Sequence, residues 1–181
     1  MNSRRLITAA VFAALTLGAT TASAQQPQIP SLQVCNSTVA RGSALIAISS
    51  RVDFVSSGTF RIRLDLGCDP SGDGYPTGGI VLFDISMSDS TIQGAINVTT
   101  MEQVTTSGKH TPTLWVNGRC EAENIRGCRY WLMVVDNQNP AQARGTADIV
   151  SFLVFDGTGN RVAYGTGPVV DGDVFVAPTS N

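Results

Sequence analysis

The stretch CDPSGDGYPTGG, from Cys68 to Gly79, sets two carboxylates among glycines and prolines and could therefore bind calcium. Calcium takes about six to eight oxygen ligands, and a glycine lets the chain turn sharply between them. Asp69 and Asp73 would supply carboxylate oxygens, but the spacing lacks the middle ligand and the distal glutamate of an EF-hand loop. We expect a plain turn between two strands here, and calcium bound by Asp69 and Asp73 is the alternative.

Catalysis by a side chain would have to use one histidine or a scattered set of acids. His110 is the only histidine, so an imidazole-based triad needs it, yet no serine stands in a GxSxG pattern. A single histidine also cannot build the zinc and iron sites that take two or three of them. The aspartates stand mostly at expected strand ends and turns, where they bond to the local backbone. We expect no catalytic residue, no cofactor and no enzyme activity; a small secreted hydrolase that uses paired carboxylates is an alternative.

Three aromatic side chains could form a contact surface, because a flat ring on a sheet can stack on a sugar or pack against a protein. Tyr130 and Trp131 are adjacent on an expected strand, so they point to opposite faces and at least one of them belongs to the core. Trp115, on the outward face of another strand, is a candidate contact residue.

Four cysteines in an exported chain predict disulfide bonds, because such a chain meets an oxidising compartment. Three connectivities are open, and we favour Cys35–Cys68 with Cys120–Cys128, since the second pair encloses only the polar segment EAENIRG. A metal site built from these thiols is a weaker interpretation, because no CxxC spacing is present. Arg126 lies in the short segment, so an inhibitor that presents the Cys120–Cys128 loop to a target is a further alternative.

The N-terminus predicts export. Arg4 and Arg5 precede a short apolar run, and the small residues ASA end at Ala24, as a signal peptidase requires. The apolar run is about a dozen residues long, whereas a spanning helix needs about 20. We expect a bacterial signal peptide over 1–24, a flexible arm over 25–33, and a secreted or periplasmic mature protein.

The composition argues against nucleic acid and membrane partners. Only 14% of the residues are charged, the formal net charge is −2, and the sequence has no cluster of basic residues. Nucleic-acid and polybasic membrane-binding proteins carry such clusters, because they neutralise phosphate groups. We therefore expect no nucleic-acid partner and no membrane span after signal cleavage.

Short apolar or alternating segments follow one another along the mature chain. In TFRIRLDL the even positions from 60 to 66 are apolar and the odd positions from 61 to 65 are charged, which predicts a strand with one wet face. Glycine-rich turns such as DGTGN and DGD separate several segments. The expected strands are 44–48, 59–66, 79–87, 91–100, 111–118, 128–136, 148–156, 160–166 and 173–178.

These strands predict an all-β fold, an antiparallel β-sandwich or small β-barrel of about nine strands. It would form a single domain over 34–178, followed by a tail over 179–181.

The C-terminal third resembles a known type of exported domain. GRCEAENIRGCRYWLMVVDNQNP and ADIVSFLVFDGTGNRVAYGTGPVVDGDVFV, within about 118–178, are similar in their order of strands and turns to bacterial exported β-domains of the post-COAP type, a family of unknown function. The resemblance implies a secreted β-sandwich module without a known catalytic site, and it transfers no functional residue.

Together these patterns predict a non-catalytic structural or binding module that acts by surface contact. Its partner would be an extracellular or envelope protein or a polysaccharide, touched through an exposed sheet face or loops. Trp115 and Arg126 are the candidate contact residues.

Overall fold

A computed structural model describes residues 39–48, 57–68, 76–137 and 146–179 of this protein. Within these ranges every regular element is a β-strand, and eight antiparallel strands form a closed barrel. The all-β antiparallel class expected from the sequence is thereby confirmed. None of the described residues forms a helix long and apolar enough to cross a membrane.

The strands follow one another around the barrel in chain order, and β8 closes it by pairing with β1. Each strand is antiparallel to both of its neighbours, which short connections along a chain permit. Their bounds are β1 Ala40–Ile48, β2 Gly58–Cys68, β3 Pro76–Met87, β4 Ile96–Ser107, β5 Thr113–Ala122, β6 Ile125–Val135, β7 Ile149–Phe155 and β8 Arg161–Val176.

The barrel interior is an apolar core built from the inward-facing residues of all eight strands. Strand β2 shows how the sequence produces it, because residues 60, 62, 64 and 66 are buried while Arg63 and Asp65 face water. Phe60 meets Phe152 of β7 edge to face, with 4.6 Å between the ring centroids. Such a pair adds about 0.5–1.5 kcal/mol beyond the area it buries.

The expected strands 160–166 and 173–178 are one continuous strand, so the described residues contain eight strands where about nine were expected. The segment DGD, expected to be a turn, lies inside β8, where Gly172 has a φ of 84°. Gly172 pairs with Ala44 of β1, and only a glycine adopts this φ readily. Gly172 therefore continues a strand here and does not reverse the chain.

Strand β8 also explains why the fold is a barrel and not a β-sandwich, the other architecture expected from the sequence. Its first half, up to Pro168, pairs with β7, and its second half, from Val169, pairs with β1. One long strand thus joins the two ends of the sheet. The contact between β3 and β4 is the shortest strand pairing in the barrel, since these strands share only the pairs Val81–Asn97 and Leu82–Ile96.

Several sequence predictions concern residues outside the described ranges. These are the signal peptide over 1–24, the arm over 25–33, the calcium alternative at Asp69 and Asp73, and the Cys35–Cys68 disulfide. They stay predictions, as do the domain boundaries.

Candidate functional site

The hairpin formed by β5 and β6 sets the geometry of the outer surface. Cys120 and Cys128 are directly opposite each other in the two strands and form a disulfide, with 4.9 Å between their Cα atoms. Both are fully buried, so the residues that alternate with them face outward. The predicted Cys120–Cys128 bond is therefore confirmed, and it is a cross-strand link inside a regular hairpin.

This register brings the two tryptophans of the chain together on the outside. Trp115 is opposite Met133 and Trp131 is opposite Asn117, so the indoles are diagonal neighbours, with Cα atoms about 7–8 Å apart. Their exposed fractions are 47% for Trp115 and 57% for Trp131. Tyr130, beside Trp131, is 2% exposed and belongs to the core, as one of the adjacent pair had to.

The apolar surface continues across β7 and β8. Leu153 is opposite Trp131, and Tyr164 is opposite Leu153, so the three side chains form one row across three strands. Leu153 and Tyr164 are half-buried, as is Met133 in the neighbouring row. We call this surface the aromatic face; it consists of Trp115, Trp131, Met133, Leu153 and Tyr164.

Uncharged polar pairs border the aromatic face on two sides. On the β4 side, Asn117 Nδ2 donates a hydrogen bond to Gln103 Oε1 at 2.9 Å. On the β8 side, the hydroxyls of Ser151 and Thr166 are hydrogen-bonded at 2.6 Å. Ser151 is opposite Met133, and Gln103 is opposite Asn117, so both pairs stand in the same rows as the tryptophans.

Charged groups lie one row further along the strands, at one end of the face. Arg119 and Arg129 are opposite each other, and Glu102 binds both, at 3.0 Å and 2.8 Å. The hydrogen bond from Arg119 is the main cause that holds the pKa of Glu102 below its ordinary value. At the β8 corner the Arg161 guanidinium lies 5.7 Å from the centroid of the Tyr164 ring.

Arg126, the other predicted contact residue, is exposed in β6 close to the hairpin tip. The tip is a two-residue turn, and Asn124 fastens it to the β3–β4 connection. Asn124 Oδ1 accepts the N–H of Gln93 at 2.9 Å, and Asn124 Nδ2 donates to the carbonyl of Thr91 at 2.8 Å. The segment 121–127 is thus a fixed hairpin end, away from the aromatic face.

Two carboxylates, Asp136 and Asp148, interact where β6 ends and β7 begins, beside the C-terminal part of β8. Asp136 is 7% exposed and accepts the N–H of Val176 at 3.0 Å, while Asp148 is 0% exposed and accepts the N–H of Asn137 at 2.8 Å. Asp148 Oδ2 has no hydrogen-bond partner in the described part of the chain. Burial is the main cause that raises the pKa of Asp148.

His110 is exposed in the turn between β4 and β5. Among the described residues no three histidine, cysteine or acidic side chains are grouped so that they could hold a metal ion.

Trp131 is a candidate contact residue whose orientation the pattern of adjacent Tyr130 and Trp131 left open. The signal that identifies its orientation is Arg129, two positions earlier, because residues i and i+2 of a strand face the same way and an arginine rarely faces an apolar core. The alternation Cys128, Tyr130, Leu132 then marks the inward face.

No family model matches this chain, and neither a curated protein nor a solved structure shows a significant similarity to it.

Proposed function

We propose that this protein is a non-catalytic exported binding domain that contacts its partner through the aromatic face. The observation that carries the proposal is that Trp115 and Trp131 share one outward surface and are each about half exposed. An exposed tryptophan leaves a large apolar area in water, and contiguous apolar patches of a few hundred Å² on a monomer often mark contact sites.

The composition of the surface is that of a binding hot spot. Tryptophan, tyrosine and arginine are enriched at positions that dominate binding energy. Here two tryptophans and Tyr164 are central, and Arg119, Arg129 and Arg161 lie in the next row, at one end of the face. The strands hold these side chains on a rigid sheet, so binding costs little conformational entropy of the backbone.

Two acidic groups with shifted pKa values, Asp148 and Glu102, are poorly placed for acid–base catalysis. A general acid or base must reach the proton that it transfers. Asp148 has the raised pKa that a general acid needs, but its side chain has no exposed surface. Glu102 is exposed, but two arginines bind it and lower its pKa, which weakens it as a base.

Export to the periplasm or the medium agrees with the Cys120–Cys128 disulfide, since such bonds persist in oxidising compartments. The partner would then be an extracellular or envelope protein or a polysaccharide. The similarity to post-COAP-type domains stays a prediction, and it agrees with a secreted module without catalytic chemistry.

Sedimentation with envelope material of the producing cell tests this function. We expect the mature protein to bind, and the double variant Trp115→Ser, Trp131→Ser to bind at least about thirtyfold more weakly, because truncating a hot spot costs about 2 kcal/mol or more. Val170→Ser is the matched control, since Val170 is 56% exposed and lies on β8 outside the face. Equal binding by the double variant and the control would contradict the proposal.

A further inference from the structure

We propose that the ligand of the aromatic face is an uncharged polysaccharide, lying along the diagonal from Trp115 to Trp131. This inference rests on the proposed function, and it names the chemical class of the partner. It is carried by the arrangement of two exposed indoles between two pairs of neutral hydrogen-bonding side chains.

The indoles fit one side of a sugar ring. The face of an aromatic ring carries the negative part of its quadrupole, so it attracts groups with a positive edge. The C–H bonds of a pyranose point to the faces of the ring and present such an edge, while its hydroxyls point outward around the rim. Trp115 and Trp131 are adjacent on the diagonal, so two successive stretches of one glycan chain could stack on them.

The flanking side chains fit the hydroxyls of the same ligand. An amide has two N–H donors and a carbonyl with two lone pairs, so the bond between Asn117 and Gln103 uses only part of their capacity. The hydroxyls of Ser151 and Thr166 likewise both donate and accept. Because each pair is already hydrogen-bonded internally, its side chains are oriented before the ligand arrives, which lowers the entropy cost of binding.

The charge distribution favours an uncharged polymer. Among the described residues, the two rows of the face and its flanks carry no charged side chain. The nearest charged residues are Arg119, Arg129 and Arg161 in the next row, and the Arg161 guanidinium lies 5.7 Å from the centroid of the Tyr164 ring. There, Glu102 already binds Arg119 and Arg129. A polyanion would need cations along its length, whereas hydroxyls need only the neutral groups that are present.

The size of the face argues against a second copy of this chain as the occupant. Strands lie about 4.8 Å apart, so the face extends about 15 Å from β5 to β8 and covers only two rows of side chains. This corresponds to a few hundred Å², whereas a stable dimer buries about 800 Å² on each partner. A linear chain crossing the strands needs no larger area.

Intrinsic fluorescence gives a direct test, because the only two tryptophans of the chain are both on this face. The mature protein is titrated with dextran, galactomannan, xyloglucan and mixed-linkage β-glucan, and with alginate as a polyanion. We expect a change of tryptophan emission and retarded migration in gels that contain at least one neutral polymer. We expect Trp131→Ser to weaken that binding about tenfold or more, which is 1.4 kcal/mol, and Trp131→Tyr to retain most of it.

Val170→Ser is the control for surface apolarity and should bind like the wild type. Asn117→Ala and Ser151→Ala should each weaken binding by a smaller factor, because the flanks contribute hydrogen bonds and the indoles contribute stacking. All variants are compared by thermal unfolding, so that a loss of binding is read only from folded protein.

Treatment of the envelope material distinguishes this inference from the proposed function. Tryptophan-dependent binding that survives protease and disappears after periodate oxidation of vicinal diols supports a polysaccharide. Binding that is lost after protease but survives periodate indicates a protein partner. Tryptophan-dependent binding to phosphatidylglycerol vesicles indicates a lipid surface. Either result overturns the inference and leaves the contact function standing. Absence of any tryptophan-dependent binding contradicts both.

Discussion

Trp115 and Trp131 face water because both sequence neighbours of each are buried in the core. Leu114 and Val116 are buried on either side of Trp115, and Tyr130 and Leu132 on either side of Trp131. Because successive side chains of a strand point to opposite faces, both indoles must face outward although they are apolar. At the same scale the barrel buries a carboxylate, Asp148, with one oxygen lacking a partner in the described residues. Apolar side chains are usually buried and acidic ones exposed, and the two exposed tryptophans and the buried Asp148 depart from this rule.

Replacing Asp148 with asparagine tests the buried acid. Because burial raises its pKa above the unfolded value, its contribution to stability is full below the unfolded pKa and is lost as the pH rises through the folded pKa. Asp148→Asn removes this dependence, so the free energy of unfolding of the variant should improve relative to wild type as the pH rises above the ordinary carboxyl pKa of about 4. Urea unfolding at several pH values measures it. A difference that stays constant, or that moves the other way, contradicts the account, and Asp65→Asn on the exposed face of β2 is the control.

At this scale the sequence predicted the orientation of most β2 residues, since a clean alternation of apolar and charged residues fixes both faces. It left Trp131 undecided, because Tyr130 and Trp131 are both acceptable in a core. The Cys120–Cys128 pairing, combined with the assumption of a hairpin, would also have predicted the relative position of Trp115 and Trp131. Opposed cysteines fix the register, and that register makes Trp115 and Trp131 diagonal neighbours.

At the scale of elements, the β5–β6 hairpin is the unit that builds the face. Eight residue pairs from Thr113–Val135 to Cys120–Cys128 run without a shift, and the disulfide is the last of them. Strand β7 then extends the face with a regular register. The turn DGTGN between β7 and β8 was predicted and is confirmed, because Asp156 Oδ1 accepts the N–H groups of Thr158 and Asn160, both at 2.9 Å. The glycine and aspartates of DGD have the same turn chemistry, but there residues 171–173 pair with the neighbouring strand β1, so the chain continues as part of β8.

Removing the hairpin disulfide tests how much it contributes. In the chain-entropy account, a cross-link that closes a loop of about nine residues stabilises the fold by about 2.6 kcal/mol. The variant Cys120→Ala, Cys128→Ala should therefore melt about 5–10 °C below the oxidised wild type. An unchanged melting temperature would show that strand pairing alone holds the hairpin. Alanine is chosen because both positions are fully buried, so serine would add an unsatisfied hydroxyl.

At the scale of the whole molecule, two non-local features decide the architecture. Strand β8 spans from β7 to β1, and β3 meets β4 through only two residue pairs. Neither feature leaves a local signal, since a strand that changes partners halfway has the same alternation as two strands. For this reason the antiparallel all-β class followed from the sequence, while the choice between sandwich and barrel needed the structure. The closed ring leaves the outer surface of β5 to β8 as a continuous wall on which the aromatic face lies.

Collisional quenching of tryptophan fluorescence by acrylamide, with and without saturating envelope material, tests whether Trp115 and Trp131 form the contact surface. Both indoles of the free protein are about half exposed, so quenching should be strong, and it should fall markedly once the aromatic face is covered. Binding without any change in quenching would place the contact elsewhere on the barrel and contradict the account.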